Sequence, residues 1–251
     1  MGAPAAVAAA YIHSDEVAYS WHHSMLQMLM MDMARGRALA CGGVLSAQCG
    51  PAGIAKARNE VAEAFLGVSA DWLLWLDTDM GFHPDTCERL LAAADPAKRP
   101  VMGALCFTQR QLGPDGMGGW RCAAVPAIRD WAQPGDPWGG FKFRRNYPPD
   151  AVTRCAGTGA ACLLVHRSVF ERINAKFGPA WYDMLPSPVP GELISEDLSF
   201  CARAGALRIP VHVHTGVPTS HMKRTWLGEG DYQRERAADG LPAGFPVLQR
   251  A

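Results

Sequence analysis

The sequence predicts an α/β protein whose central sheet is doubly wound, mainly parallel and flanked by helices. Three observations carry this. Short apolar runs alternate with amphipathic stretches across residues 5–107, in the order strand, helix, strand. One run, Trp72-Leu73-Leu74-Trp75-Leu76, is continuous, as strands buried on both faces of a parallel sheet are. With 251 residues, 49% of them hydrophobic and 19% charged, the chain can bury one large core and is not composed like a disordered one.

Taken in order, residues 5–12 form an apolar run that ends in His13, Ser14, Asp15 and Glu16, which predicts a buried first strand opening into a polar loop. Met25, Leu26, Leu29, Met30 and Met33 recur at helical spacing, predicting a helix whose methionine stripe packs on the sheet. Residues 38–47 read as a second strand. After Gly50, Pro51 and Gly53, residues 54–66 have an amphipathic helical period. Residues 72–76 are the central strand, Pro84 opens a helix running to about residue 94, and residues 101–107 are a fourth strand.

The alternation stops between residues 108 and 150. This stretch is rich in Gly and Pro and carries Trp120, Trp131 and Trp138, so an irregular lobe pinned by buried tryptophans is expected. A strand at 162–165, a helix at 168–177, a loop at 178–191, a helix at 196–206 and a strand at 209–214 follow. The polar, glycine-punctuated tail from Lys223 reads as a C-terminal arm. There is no internal repeat or low-complexity linker, so one domain is expected, with parts at 1–107, 108–221 and 222–251.

Charge narrows the partners. Lys and Arg number 24, as do Asp and Glu, so a general basic footprint for nucleic acid is missing. The eight cysteines include no C-x-x-C pair, and several sit in apolar runs, which excludes a zinc ribbon and suits a reducing cytoplasm. The first twelve residues lack the basic start of a secretory signal. Residues 25–33 are too short to span a bilayer, and Asp32 and Arg35 interrupt them, so no membrane partner is expected.

Three features carry chemistry. The apolar strand at 72–76 runs straight into Asp77-Thr78-Asp79. Strand alternation would aim Asp77 and Asp79 to one side and Thr78 to the other. Ligands in open α/β sheets bind beyond the C-terminal strand ends, where paired carboxylates suit a hard cation such as Mg²⁺ or Mn²⁺. Second, Ser195-Glu196-Asp197 opens a helix. There the acidic pair serves the helix dipole, with Ser195 as a cap, or offers a carboxylate to take a proton from a hydroxyl. Third, His221 lies in the loop beyond the strand at 209–214, and ranks ahead of His212 and His214, which alternate on that strand and share one side.

In this order and spacing, with the Glu-Asp pair about 120 residues after the first carboxylates, the chain resembles GT-A fold glycosyltransferases, most closely small stand-alone family 2 enzymes of bacterial and phage type. Ala57-Arg58-Asn59, Gly157-Thr158-Gly159 and Arg167 add to the likeness, which spans residues 5–221. The resemblance implies a nucleotide-sugar donor, with uridine diphosphate as its nucleotide, and Mn²⁺ or Mg²⁺ as cofactor. Asp79 would bind the metal, Asp77 the ribose or a metal-bound water, and His221 would complete the coordination. Ile12, His13, Arg58, Thr78 and Gly159 would lie along the donor. Asp197, or failing it Glu196, would be the base of an inverting displacement. Residues 1–107 would then bind the donor and residues 108–221 the acceptor.

Two other classes compete. A sugar-nucleotide nucleotidyltransferase would carry a glycine-rich basic loop after the first strand, where this chain has His13-Ser14-Asp15-Glu16. A non-catalytic carbohydrate- or nucleic-acid-binding module would not need Asp77, Asp79, Asp197 and His221 in one chain. The expected acceptor is a saccharide or a nucleic acid, and the resemblance to phage enzymes implies hydroxymethylated DNA as one such acid. Residues 108–154 hold seven Lys/Arg (Arg110, Arg121, Arg129, Lys142, Arg144, Arg145 and Arg154) against four Asp, interleaved with aromatics that suit either.

Overall fold

A computed structural model of the chain describes residues 6–35, 38–114, 116, 119–225 and 229–238. The first half runs β1 (Val7–His13), α1 (Tyr19–Arg35), α2 (Ala38–Gly42), β2 (Val44–Gln48), α3 (Gly53–Leu66), β3 (Trp72–Leu76), β4 (Met80–Phe82), α4 (Thr86–Ala93) and β5 (Val101–Leu105). Four strands follow: β6 (Phe107–Pro114), β7 (Trp120–Pro126), β8 (Ile128–Trp131) and β9 (Phe141–Phe143). The remainder is β10 (Val152–Cys155), β11 (Gly157–Thr158), β12 (Cys162–His166), α5 (Arg167–Phe177), β13 (Leu185–Pro186), β14 (Leu193–Ile194), α6 (Glu196–Ala206), β15 (Val211–His221) and α7 (Glu229–Ala238). Of the described residues, those within 6–108 and 125–222 form one compact unit. Those within 109–124 and 223–238 form a second, with most of the β6–β7 hairpin and α7.

The main sheet has the order β10-β15-β5-β12-β3-β1-β2, with β4 joined to β15. β2, β1 and β3 are parallel, β5 and β15 are parallel, and β12 runs antiparallel between β3 and β5. The five parallel strands therefore end at one edge of the sheet, and β12 begins there.

Alternation along each strand feeds two hydrophobic layers. Ala8, Ala10, Leu73 and Trp75 face a core shared with α3, α5 and α6 through Phe65, Phe170 and Phe200. Val7, Ala9, Leu74 and Leu76 face the other core, with Trp21, Met25 and Met28 of α1 and Leu90 of α4. The continuous apolar run at 72–76 is buried throughout, as the doubly covered strand requires.

Several expectations change. Residues 38–47 are a short helix and a strand, because Gly42 and Gly43 divide them. Gly43 takes φ 76°, and Gly42 lies so close to β1 that a Cβ would stand 2.0 Å from the Val7 carbonyl oxygen. The methionine stripe is only partly core. Met25 and Met28 are buried, whereas Leu26, Met30 and Met33 are exposed, since one helix face cannot hold all five positions against the sheet. The stretch expected to be irregular carries β6 to β9, and Trp120 and Trp138 are exposed. The last strand runs on to His221 instead of stopping at 214, absorbing Pro218 with a register shift after His214. Residue 5 of the first strand and residues 239–251 of the expected arm lie outside the described residues. Among the described residues no helix is long and apolar enough to cross a membrane. All eight cysteines are free thiols.

Arg167, noted above for its place after an apolar strand, closes the C-terminal end of α3. Its guanidinium donates to the carbonyls of Phe65, Leu66 and Ala70 at 2.9–3.1 Å and to that of Val68, and stacks on the Phe65 ring at 4.8 Å. Those carbonyls have few alternative donors. Arg167→Met should cost about 2–3 kcal/mol of unfolding free energy in urea titration, and Arg167→Lys should recover only part, because one ammonium cannot reach all four oxygens. A loss within about 0.5 kcal/mol for Arg167→Met, the range of an ordinary surface change, would contradict the assignment.

Candidate functional site

The acidic triplet marks the point where β3 leaves the sheet. The Asp77 amide is still tied to the Ala161 carbonyl at 2.9 Å, but Met80 N–H donates back to the Asp77 carbonyl at 3.1 Å and turns the chain. Strand alternation therefore lapses at Asp77, and the two carboxylates part company. Asp77 accepts from Arg58 Nη2 at Oδ1 (2.8 Å) and Oδ2 (3.0 Å), whereas Asp79 Oδ2 stands 2.9 Å from His221 Nε2. Thr78 turns toward β1, its hydroxyl donating to the Ile12 carbonyl at 3.4 Å.

Arg58 is charged, and only 2% of it is exposed. It comes from the second turn of α3 and passes over the Trp75 ring (4.9 Å) and the Tyr182 ring (5.9 Å), so aromatic faces replace water around its stem. Burial opposes its charge, but Asp77, Tyr182 and Glu196 more than offset this and hold its pKa above the usual arginine value. Its Nε lies 3.6 Å from Glu196 Oε1, so one guanidinium bridges β3 and the start of α6.

Asn59, the next residue of α3, accepts from Tyr182 N–H at 2.8 Å and donates to Asp183 Oδ1 at 2.6 Å. Arg203 of α6 donates to the Asp183 carbonyl at 2.8 Å. These bonds seat Trp181 and Tyr182 in the core, within what the sequence reads as a plain loop. Nothing in the local pattern announces this, apart from the two adjacent aromatics themselves.

At the head of α6, Ser195 does not cap the helix with its side chain. Its hydroxyl donates to Asp197 Oδ1, which also accepts from Leu198 N–H at 2.7 Å. The other oxygen, Oδ2, lies beside Gly159, where an added Cβ would stand 3.4 Å from it. Glu196 is desolvated, and Asp197 adds to the effect, so its carboxyl sits above the usual glutamate pKa despite the opposing pull of Arg58.

These groups surround one cavity of about 270 Å³. Its walls include Arg58, Asp77, Gly159, Glu196, Asp197 and His221, and also Cys106 and Arg129. The first six were expected from sequence. Asp79 stands behind His221. Ile12 and His13 lie at the end of β1, Thr78 follows β3 and turns toward them, and none of these is part of the walls. His221 is the last residue of β15, not a loop residue. His212 and His214 alternate on β15 opposite β10, where burial lowers both pKa values.

A divalent cation can be judged against these donors. Among the described residues no three His, Cys, Asp or Glu side chains converge as a metal cluster. Two donors do meet, however, and in a telling state. His221 Nδ1 lies 2.8 Å from the Phe107 carbonyl, which can only accept, so Nδ1 carries a proton, and Nε2 faces Asp79 Oδ2 at 2.9 Å. Either a proton or a metal ion between Nε2 and Oδ2 accounts for that approach. Cis ligands at about 2.1 Å from an octahedral ion stand about 3 Å apart, so Asp79 and His221 fit as one edge of such a shell. Asp77, engaged by Arg58, does not complete that edge.

The fold is GT-A-like: a mixed α/β sheet, largely parallel and flanked by helices. Two solved structures share the architecture. The crystal structure of A197 from STIV superposes with a TM-score of 0.51 at 11% identity, covering 87% of this chain and 86% of that one. That of GalNAc-T7 with UDP, GalNAc and Mn²⁺ gives 0.51 at 12% identity, covering 96% of this chain but only 52%, about half, of that one. No protein-family model matches the sequence, and no curated protein does.

The arrangement yields a stability test. Asp77→Ala leaves the buried Arg58 cation with only the more distant Glu196, so it should cost about 3 kcal/mol, in the range seen when a buried pair loses one partner. Asp79→Ala, at a more exposed position, should cost under about 1 kcal/mol. Equal losses in chemical denaturation would mean that the Arg58–Asp77 pair is not the anchor described.

Proposed function

We propose that this protein is a divalent-cation-dependent glycosyltransferase that moves a sugar from a uridine diphosphate donor to an acceptor hydroxyl with inversion. One observation supports it above the others. His221, with Asp79 behind it, and the carboxylates of Glu196 and Asp197 line a single cavity at the C-terminal ends of parallel strands, the place where open α/β sheets bind ligands. The structurally similar GalNAc-T7 was crystallised with UDP, GalNAc and Mn²⁺, which agrees with such a ligand set.

In this reading Asp79 and His221 would hold the ion. It would supply positive charge to offset that of the departing nucleoside diphosphate. His221 keeps Nε2 free of its ring proton because the Phe107 carbonyl takes Nδ1–H, the usual way a backbone acceptor fixes a metal-ligating imidazole. Asp77, oriented by Arg58, faces the cavity as an acceptor for ribose or sugar hydroxyls. Ile12 and His13 flank the nucleotide at the end of β1.

Asp197 is the base. Ser195 and Leu198 hold its Oδ1, so Oδ2 beside Gly159 is the oxygen placed to take the proton of the incoming hydroxyl. Glu196 is the weaker candidate because it is turned toward Arg58. Of the acceptors the sequence allows, a saccharide is better supported than hydroxymethylated DNA. Arg144, one of the basic residues available for phosphate, is instead held by Asp130, Thr153 Oγ1 and the Arg154 carbonyl.

Two sets of variants test this. Asp79→Ala and His221→Ala should each abolish Mn²⁺-dependent binding of UDP in calorimetry while the fold persists. Retention of wild-type affinity in both would remove them from a metal site. Asp197→Asn should keep donor affinity and lose at least about 10²-fold in turnover, as loss of a general base does. Full activity in that variant, with collapse in Glu196→Gln, would move the base to Glu196.

A further inference from the structure

The cavity has a second arginine that the function above does not use. Arg129 lies on β8, paired through the short β8–β11 ladder with Gly157, and its side chain reaches the same walls as Gly159, Asp197 and His221. Its guanidinium carbon sits 3.3 Å above the centre of the Phe143 ring, so β9 holds the planar group in place from one side.

What sets Arg129 apart is a shielded donor on a cation without a carboxylate partner. Its Nη1 is shielded from solvent and has no hydrogen-bond partner, which is also true of Arg58 Nε and Nη1. Among the described residues Arg129 makes no ion pair, whereas Arg58 is matched by Asp77 and Glu196, and Arg144 by Asp130. Burial lowers its pKa to about 10, with the charge of Asp197 working the other way, so it remains a cation at neutral pH. A shielded N–H without an acceptor is costly, and guanidinium planes favour paired oxygens of phosphates and carboxylates. The neighbouring carboxylate, Asp197, is already engaged by Ser195 and Leu198 through Oδ1.

We propose that Arg129 is the anion-binding residue of this cavity and receives a phosphate or carboxylate oxygen of the bound substrate. The proposal rests on reading the cavity as a nucleotide-sugar site. The anion has two possible sources there: the diphosphate of the donor, or an acidic group on its sugar. The room in the cavity, about 270 Å³, accommodates a hexose ring with either group at the Arg129 wall.

The test compares wild type with Arg129→Met, which keeps the stem over Phe143, and Arg129→Lys, which keeps the charge but not the fork. Dissociation constants for uridine, UDP, UDP-glucose and UDP-glucuronate are measured by calorimetry with Mn²⁺, alongside thermal midpoints. The expected result is an affinity loss of at least about tenfold for an anionic ligand in Arg129→Met, with uridine unaffected, as a charge-assisted bond would give. If the diphosphate is the source, UDP and both sugars weaken together. If the acidic sugar is the source, UDP-glucuronate alone weakens, and wild type prefers it to UDP-glucose. Unchanged affinity for all four, or an equal loss for uridine, overturns the proposal.

Should Arg129→Met fail to fold, Arg129→Lys is read instead, and a loss under about threefold for every anionic ligand counts against it. If wild type binds no nucleotide at all, the nucleotide-sugar reading fails on its own. Inorganic pyrophosphate and free glucuronate then decide for Arg129: binding by wild type that Arg129→Met loses upholds it, and equal binding or none overturns it.

Discussion

The structure depends on one buried cation. Arg58 enters from α3 beneath the sheet edge, lies against Trp75 and Tyr182, and gives both its charge and its geometry to Asp77 and Glu196. A guanidinium in such a place is tolerable only when carboxylates compensate it, so the positions of those carboxylates are fixed by the same constraint. The consequence is a division of labour between the two aspartates that leave β3. The one that must satisfy Arg58 is turned inward, and the other is left to meet His221.

The sheet explains why these groups meet at all. Because β12 runs against its neighbours, its first residues arrive at the edge where β1, β3 and β5 end. Ala160 and Ala161 floor the cavity there, and small residues at 159–161 leave space above them. Register matters equally on the far side. The shift between His214 and Pro218 lets β15 pass from pairing with β5 to pairing with β4, which carries His221 to within bonding distance of both Phe107 and Asp79. Without that irregularity the strand would end short of the site.

Some of this was legible in the sequence and some was not. The five-residue apolar run before Asp77 and the helical period after Glu196 identify their elements directly, since burial on both sheet faces and on one helix face leaves distinct patterns. Asp77 and Asp197 could therefore be placed at element ends, whereas His221 was expected in a loop and is the last residue of β15. The separate directions of Asp77 and Asp79 could not be read, because a turn at Met80 replaces the strand geometry on which alternation rests. The extent of β15 was hidden by Gly216 and Pro218, which ordinarily end a strand. Arg129 and Tyr182 carried no periodic signal, being placed by contacts distant in sequence. The outward Met30 and Met33 show the opposite failure, a helical period broader than the face the sheet can cover.

The central claim is that Asp79 and His221 share a divalent cation while Asp77 stays with Arg58. The most direct measurement is a crystal structure of the protein soaked with Mn²⁺ and UDP, with the ion located by its anomalous signal. The account predicts one ion bound to Asp79 and to His221 Nε2 at about 2.1–2.2 Å, contacting the diphosphate, with the Arg58–Asp77 pair intact. An ion bound by Asp77 after displacement of Arg58, or a diphosphate bound with no ion at the Asp79–His221 edge, would contradict it.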